Sequence, residues 1–143
     1  MANVVNEIRN WHLFTEKFGE EYQMHDAVIK RFELNEDDLI IVVNTLYEME
    51  DDKVYDIAFK FSKLIRFNYD TEIGNDYIYG IDVKKDNYYN NLFSFTFDSV
   101  CLTIECFGIE LLSITESEPF QRGMISLNDP DQTGENDKMM WRT

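Results

Sequence analysis

The stretch Val54 to Tyr69, VYDIAFKFSKLIRFNY, most constrains what this chain can fold into. Tyr55, Ile57, Phe59 and Phe61 fall on one side of an extended backbone, and Asp56, Ala58, Lys60 and Ser62 on the other. A period of two over eight residues specifies a β-strand with one dry face and one wetter face. Flanking strands must supply the rest of the dry layer. Lys63 breaks the pattern on the dry side. An ammonium pointing into that layer would be costly, so the sequence predicts a bulge or bend between Ser62 and Leu64.

The rest of the chain falls around that strand. From Asn3 to Gly19, apolar residues recur three and four apart (Val4, Ile8, Trp11, Phe14, Phe18), which predicts an amphipathic helix ending at Gly19. Its apolar stripe would pack Trp11 and Phe18 over the sheet; the alternative is that Trp11 anchors a partner. Ala27 to Leu34 reads as a first strand. Asn35-Glu36-Asp37-Asp38 reads as a turn, because Asn and Asp side chains bond their own backbone. Leu39 to Met49 reads as a second strand, apolar on both sides at its start and therefore central. The two form an antiparallel hairpin. A charged turn, Glu48 to Lys53, leads into the long strand, and Asn68 to Asp76 is a loop pivoting on Gly74.

Tyr77 to Val83 predicts a strand weakened by Gly80, followed by a polar loop from Lys84 to Asn91. Leu92 to Phe97 alternates, with Phe93, Phe95 and Phe97 inward. A tight turn at Asp98-Ser99 enters Val100 to Cys106. Phe107-Gly108 predicts a second break before Ile109 to Thr115, so this region is a meander of three short strands or of two with a kink at Gly108. No gap between strands holds a crossover helix, which excludes a parallel layout. The expected fold is α+β: an antiparallel sheet of sequential hairpins, as a strongly curved sheet or half-barrel, with a short N-terminal helix packed on it. It occupies residues 1–118 as one domain. The tail 119–143 holds both prolines and has no sustained period; we expect Pro119 to Asn128 to run over the surface, Asn128 to Asp137 to be poorly ordered, and Met139-Met140-Trp141 to form an apolar knot.

Composition sharpens the function more than the fold. The chain of 143 residues carries 11 Phe, 8 Tyr and 2 Trp, enough for an aromatic core without staples. Its 28 acidic residues against 13 basic ones leave a net charge of -15. Such a chain repels phosphate backbones, which argues against nucleic acid, and is drawn toward basic partners. Acidity also serves solubility alone. If Cys101 and Cys106 lie on one regular strand, about 16 Å separates them at roughly 3.3 Å per residue, on opposite faces. They cannot then pair, and reduced thiols point to the cytoplasm. The opening MANVVNEIRNWH lacks a basic segment followed by an apolar run, and no uncharged apolar run is long enough for a bilayer, so neither secretion nor a membrane is expected.

Reactive constellations are missing from the sequence. Only His12 and His25 could serve as bases, and there is no Gly-x-Ser-x-Gly, phosphate-cradling glycine loop or His-Glu-x-x-His. If His25 and Asp26 stand in a strand they point to opposite faces and converge on nothing; His25 is then a half-buried ring satisfied by a backbone carbonyl, with Asp26 as a turn or cap residue. The acidic clusters Glu36-Asp37-Asp38 and Glu48-Glu50-Asp51-Asp52 lack the spacing of a calcium loop. They sit before and after the Leu39 strand, hence at opposite ends of the sheet. They are either solvated turns or an acidic rim for a basic partner, and Asp37, Asp38, Glu48, Glu50, Asp51 and Asp52 are the candidate contact residues. No catalytic residue, metal ligand or cofactor is expected.

The N-terminal third carries a further signal. A helix with Trp11, Phe14 and Phe18 runs into Phe18-Gly19, then His25-Asp26-Ala27, then Ile29 and an alternating strand. Over residues 11 to 34 this resembles the bacterial immunity protein 50 family and similar small immunity proteins of polymorphic toxin systems. The chain departs from that pattern at Gln23-Met24-His25, where a proline often stands. The resemblance implies a non-catalytic cytoplasmic protein that neutralises a cognate toxin domain; it identifies no contact residue. Separately, a monomer or weak homodimer is expected. Two rivals stay open. One is a small-molecule or peptide binder using a Phe- and Tyr-lined pocket, and the other a hydrolase or nuclease using His25.

Overall fold

A computed structural model describes residues 4–71, 74, 76–86 and 91–121. A single 3-10 turn, Val5–Glu7, precedes helix α1, Trp11–Phe18. Six strands follow: β1 Val28–Asn35, β2 Asp38–Asn44, β3 Val54–Tyr69, β4 Gly80–Asp86, β5 Leu92–Asp98 and β6 Leu102–Ser117. They form one antiparallel sheet in the order β1-β2-β3-β6-β5-β4, with α1 packed on it. The fold is α+β. The sheet is not closed, but its two edges approach: Asp26 N donates to Ile78 O (2.7 Å) and Ile78 N to Ala27 O (2.8 Å), just ahead of β1 and β4.

The long strand occupies Val54–Tyr69 at the centre of the sheet; it takes in Asn68 and Tyr69, expected in the following loop, because both pair with β6 opposite Thr103 and Leu102. Its dry residues meet Leu39, Ile41 and Val43 on one side and Ile109, Leu111 and Ile114 on the other. Phe59, Phe61, Phe95 and Phe97 are fully buried, with ring centroids 4.8–6.4 Å apart. Side chains of this size each contribute about 1.5–3 kcal/mol on burial. Trp11 stacks on Phe14 at 4.2 Å, and Phe18 meets Tyr55 edge-on at 5.6 Å. Trp11 is therefore a core residue. The chain ahead of α1 is stitched across the sheet by Val4 N to Val83 O and by Arg9, whose N and O bond Ile109 O and Leu111 N.

Several expectations are corrected. The predicted helix from Asn3 to Gly19 is interrupted at Asn10, which takes φ 69 so that Arg9 can bond β6. The second strand stops at Asn44 rather than Met49. Asn44 Oδ1 accepts from Leu46 N (2.9 Å), closing a side-chain turn that diverts the backbone from the ladder. The fourth strand is Gly80–Asp86, so Lys84 to Asp86 belong to it and not to a polar loop. Lys85 reaches Glu7 (2.7 Å) and lies over the Phe93 ring, which suits a half-buried lysine.

Phe107-Gly108 breaks nothing. β6 runs unbroken through them, with Gly108 opposite Ser62, and the irregularity falls instead at Leu112, between the pairs Phe59–Leu111 and Ala58–Ser113. At Lys63 the backbone takes φ 55 and the side chain is exposed; the register slips just beyond, between Leu64 and Arg66. Gly74 is required where it stands, because a Cβ there would lie 2.3 Å from Val100 O. Cys101 lies in the β5–β6 turn at φ 57, not on a strand with Cys106; both thiols are free. In the predicted tail, Glu118 to Phe120 is tied to β2 rather than wandering, as described below. The expectations for Asn128 to Asp137 and for Met139-Met140-Trp141 fall outside the described residues.

Candidate functional site

The two acidic turns lie at opposite ends of β2, separated by about 20 Å at roughly 3.3 Å per residue. They do different work. At the β1–β2 turn, Asp37 O accepts from Leu64 N (2.7 Å), and Asp38 faces Lys60 (3.6 Å) and the Lys63 amide (3.4 Å). The Asp37 carbonyl and the Asp38 carboxylate thus hold the bend in β3.

The β2–β3 connection is built differently. Met49 N donates to Lys53 O and Asp52 N to Met49 O, both at 2.9 Å, with Asp52 at φ 64. This compact turn pushes Glu48, Glu50, Asp51 and Asp52 into solvent. Asp51 reaches back to Lys17 of α1 (3.2 Å) and accepts from the Tyr55 hydroxyl. The Tyr55 hydrogen bond, then Lys17, hold the Asp51 carboxyl below the usual carboxylate range; Tyr55 and then Asp51 raise Lys17. Lys53 pairs with Glu116 (3.7 Å). Both lysines at this end are thereby taken up. Glu48, Glu50 and Asp52 have no ion-pair partner among the described residues.

Beside this turn a groove of about 310 Å³ runs between α1 and β6. Leu13, Tyr55, Leu112 and Ile114 make its apolar wall, and Lys17 and Ser113 its polar edge. Leu13 is 46% exposed and Leu112 43%, unusual for leucines so close to a core. Sequence reading missed this groove. Leu13 stood off the apolar stripe of α1, and Leu112 was read as an ordinary strand residue.

A polar network underlies the same end. Asn44 is fully buried and satisfied on every side. Its Nδ2 donates to Asp56 Oδ1 (2.8 Å) and Glu118 O (3.0 Å), and its Oδ1 also accepts from Phe120 N (3.2 Å). Lys30 completes the set at 2.7 Å from Asp56. Thr45 Oγ1 accepts from Tyr55 N (3.0 Å) and donates to Tyr47 O (3.3 Å). These bonds fix where β2 ends, and so where the acidic turn begins.

His25 and Asp26 overturn their expected separation. They stand in a turn, with Asp26 at φ 68, so the side chains converge: Nδ1 lies 3.2 Å from Oδ2. Both are more than half exposed, and the ring meets Tyr79 edge-on at 5.3 Å. His25 is thus not a half-buried ring on a backbone carbonyl. The pair lines an open cleft of about 360 Å³ that also holds Tyr77 and Ser99. Among the described residues no group of three His, Cys, Asp or Glu side chains could hold a metal ion, and no helix is long and apolar enough to cross a membrane.

Comparison of the chain with family models, with curated proteins and with solved structures finds no match.

Proposed function

We propose that this chain is a non-catalytic acidic binding protein whose partner is a basic protein. The resemblance of residues 11 to 34 to the immunity protein 50 family makes a toxin domain the expected partner, and a cytoplasmic setting the expected place. The observation that carries the reading is the β2–β3 turn. Glu48, Glu50 and Asp52 project from a compact hairpin end without an ion-pair partner among the described residues, next to an apolar groove. A charged rim around an apolar centre is the usual anatomy of a protein interface, and a net charge of -15 speeds encounter with a cationic partner.

The rival pocket reading has less to support it. The Phe face that would line a pocket is taken up by ring-on-ring packing of Phe59, Phe61, Phe95 and Phe97. The test is co-expression of the tagged chain with the product of the adjacent reading frame. A basic protein should co-purify and bind at a rate that falls steeply with salt. Replacing Glu48, Glu50 and Asp52 by their amides should slow association by about tenfold and change dissociation less. A neighbour that is not captured, or association indifferent to salt, overturns the reading.

A further inference from the structure

Among the described residues, the outer half of β6 is a strand edge left open. Over Leu102–Cys106 that edge is covered by β5, and Arg9 bonds it at Ile109 and Leu111. From Leu112 to Ser117 the strand pairs with β3 on one side, and no described backbone pairs with the other. Natural sheets guard such edges with lysine, proline or inward charge. Beyond the Leu112 bulge, Ser113-Ile114-Thr115 carries no lysine, proline or inward charge, and Leu112 to Ile114 form one lip of the groove against Leu13.

We propose that the edge Leu112–Ser117 accepts an extended, cationic segment of a partner protein as a seventh strand, with alternate apolar side chains seated in the α1–β6 groove. This deepens the acidic-binder reading and rests on it. Charge selects the occupant. Glu48, Glu50 and Asp52 stand unneutralised at the same end, while Lys17 and Lys53 are already paired with Asp51 and Glu116. A second copy of this chain would bring another net charge of -15 to the same end, which disfavours edge-to-edge dimers. Main-chain bonds would supply affinity, and the groove would read every second side chain. The other exposed apolar patch, Phe32 with Phe67, is flanked by Arg31, Lys63 and Arg66 as well as by acids, so charge selects nothing there.

The experiment uses the full chain, isotope-labelled, and a capped decapeptide of alternating lysine and valine. Two further versions are N-methylated at the valines or at the lysines; a glutamate–valine peptide is the charge control. Amide shifts should concentrate at Leu13 and Leu112–Ser117. At least one methylated peptide should bind 10-fold or more weakly, because strand addition needs its donors on one edge. Leu112→Ser, at an exposed position, should weaken binding several-fold with the fold intact. Equal binding by all three cationic peptides, shifts confined to Glu48–Asp52, or no binding at all would each overturn strand addition while leaving capture of the basic neighbour to judge the broader reading. Concentration-dependent shifts at Leu112–Ser117 in the chain alone would overturn it too, since the occupant would then be a second copy.

Discussion

The two halves of β3 carry similar sequence and have opposite fates. From Val54 to Phe61 the strand lies between β2 and β6, and its odd residues are buried to 5% exposure or less. From Ser62 to Tyr69 it keeps only β6, because β2 begins at Asp38 and the β1–β2 turn reaches no further than Leu64. Phe67 is 40% exposed there, covered partly by Phe32 at 5.5 Å. An aromatic residue on a pleated strand is thus buried by its neighbours and not by its own alternation. The same lesson separates the inner half of β6, sealed by β5, from its outer half with an open edge.

The largest test of this contrast is a pair of truncations. Phe59→Ala should cost about 3–5 kcal/mol in urea unfolding, the range for a fully enclosed ring. Phe67→Ala should cost less than half as much; equal losses would mean that the second half is as enclosed as the first. Next comes the polar anchor at the boundary of β2. Asn44→Ala orphans the Leu46 and Phe120 amides and leaves Asp56 with Lys30 alone, so about 1–3 kcal/mol should be lost. Hydrogen exchange of the Phe120 amide should rise in that variant.

A smaller effect of opposite sign is expected at the joint between the halves. Lys63→Gly removes the strain of a side chain at φ 55 and should stabilise by about 0.5–1 kcal/mol, net of glycine's unfolded-state entropy. Destabilisation would show that the lysine stem packs. Asp51 gives the gentlest test. Its folded pKa is depressed by Tyr55 and Lys17, so its contribution is present above the unfolded carboxylate pKa and is lost as pH falls through the folded value. Asp51→Asn should therefore flatten the acid limb of the stability curve. The two thiols sharpen the comparison chemically. Burial pushes Cys106 up to about 12, so at mildly alkaline pH a thiol reagent should label half-buried Cys101 first and Cys106 only on unfolding.

Much of the fold was legible because it follows from local rules. The period of two placed the first half of β3, and Asn35 to Asp38 fixed the first hairpin register. Lys63 announced the bend, since an ammonium could not enter the core. The candidate site was legible only in part. The acidic turns could be counted, but not that Asp37 and Asp38 brace β3 while Glu48, Glu50 and Asp52 face water. The groove was invisible, because Leu13 and Leu112 lie 99 residues apart in the sequence and meet only when α1 docks on β6.

By itself, then, the sequence determined most strand positions and the antiparallel class, which depend on residue order over ten positions or fewer, and the surplus of negative charge, which is composition alone. Tertiary structure alone decided that β3 pairs with β6, that Asn44 ends β2, that His25 and Asp26 converge, and that one strand edge stays open. Those outcomes depend on which surfaces compete for the same backbone and side-chain partners, and that competition is settled only when distant segments meet.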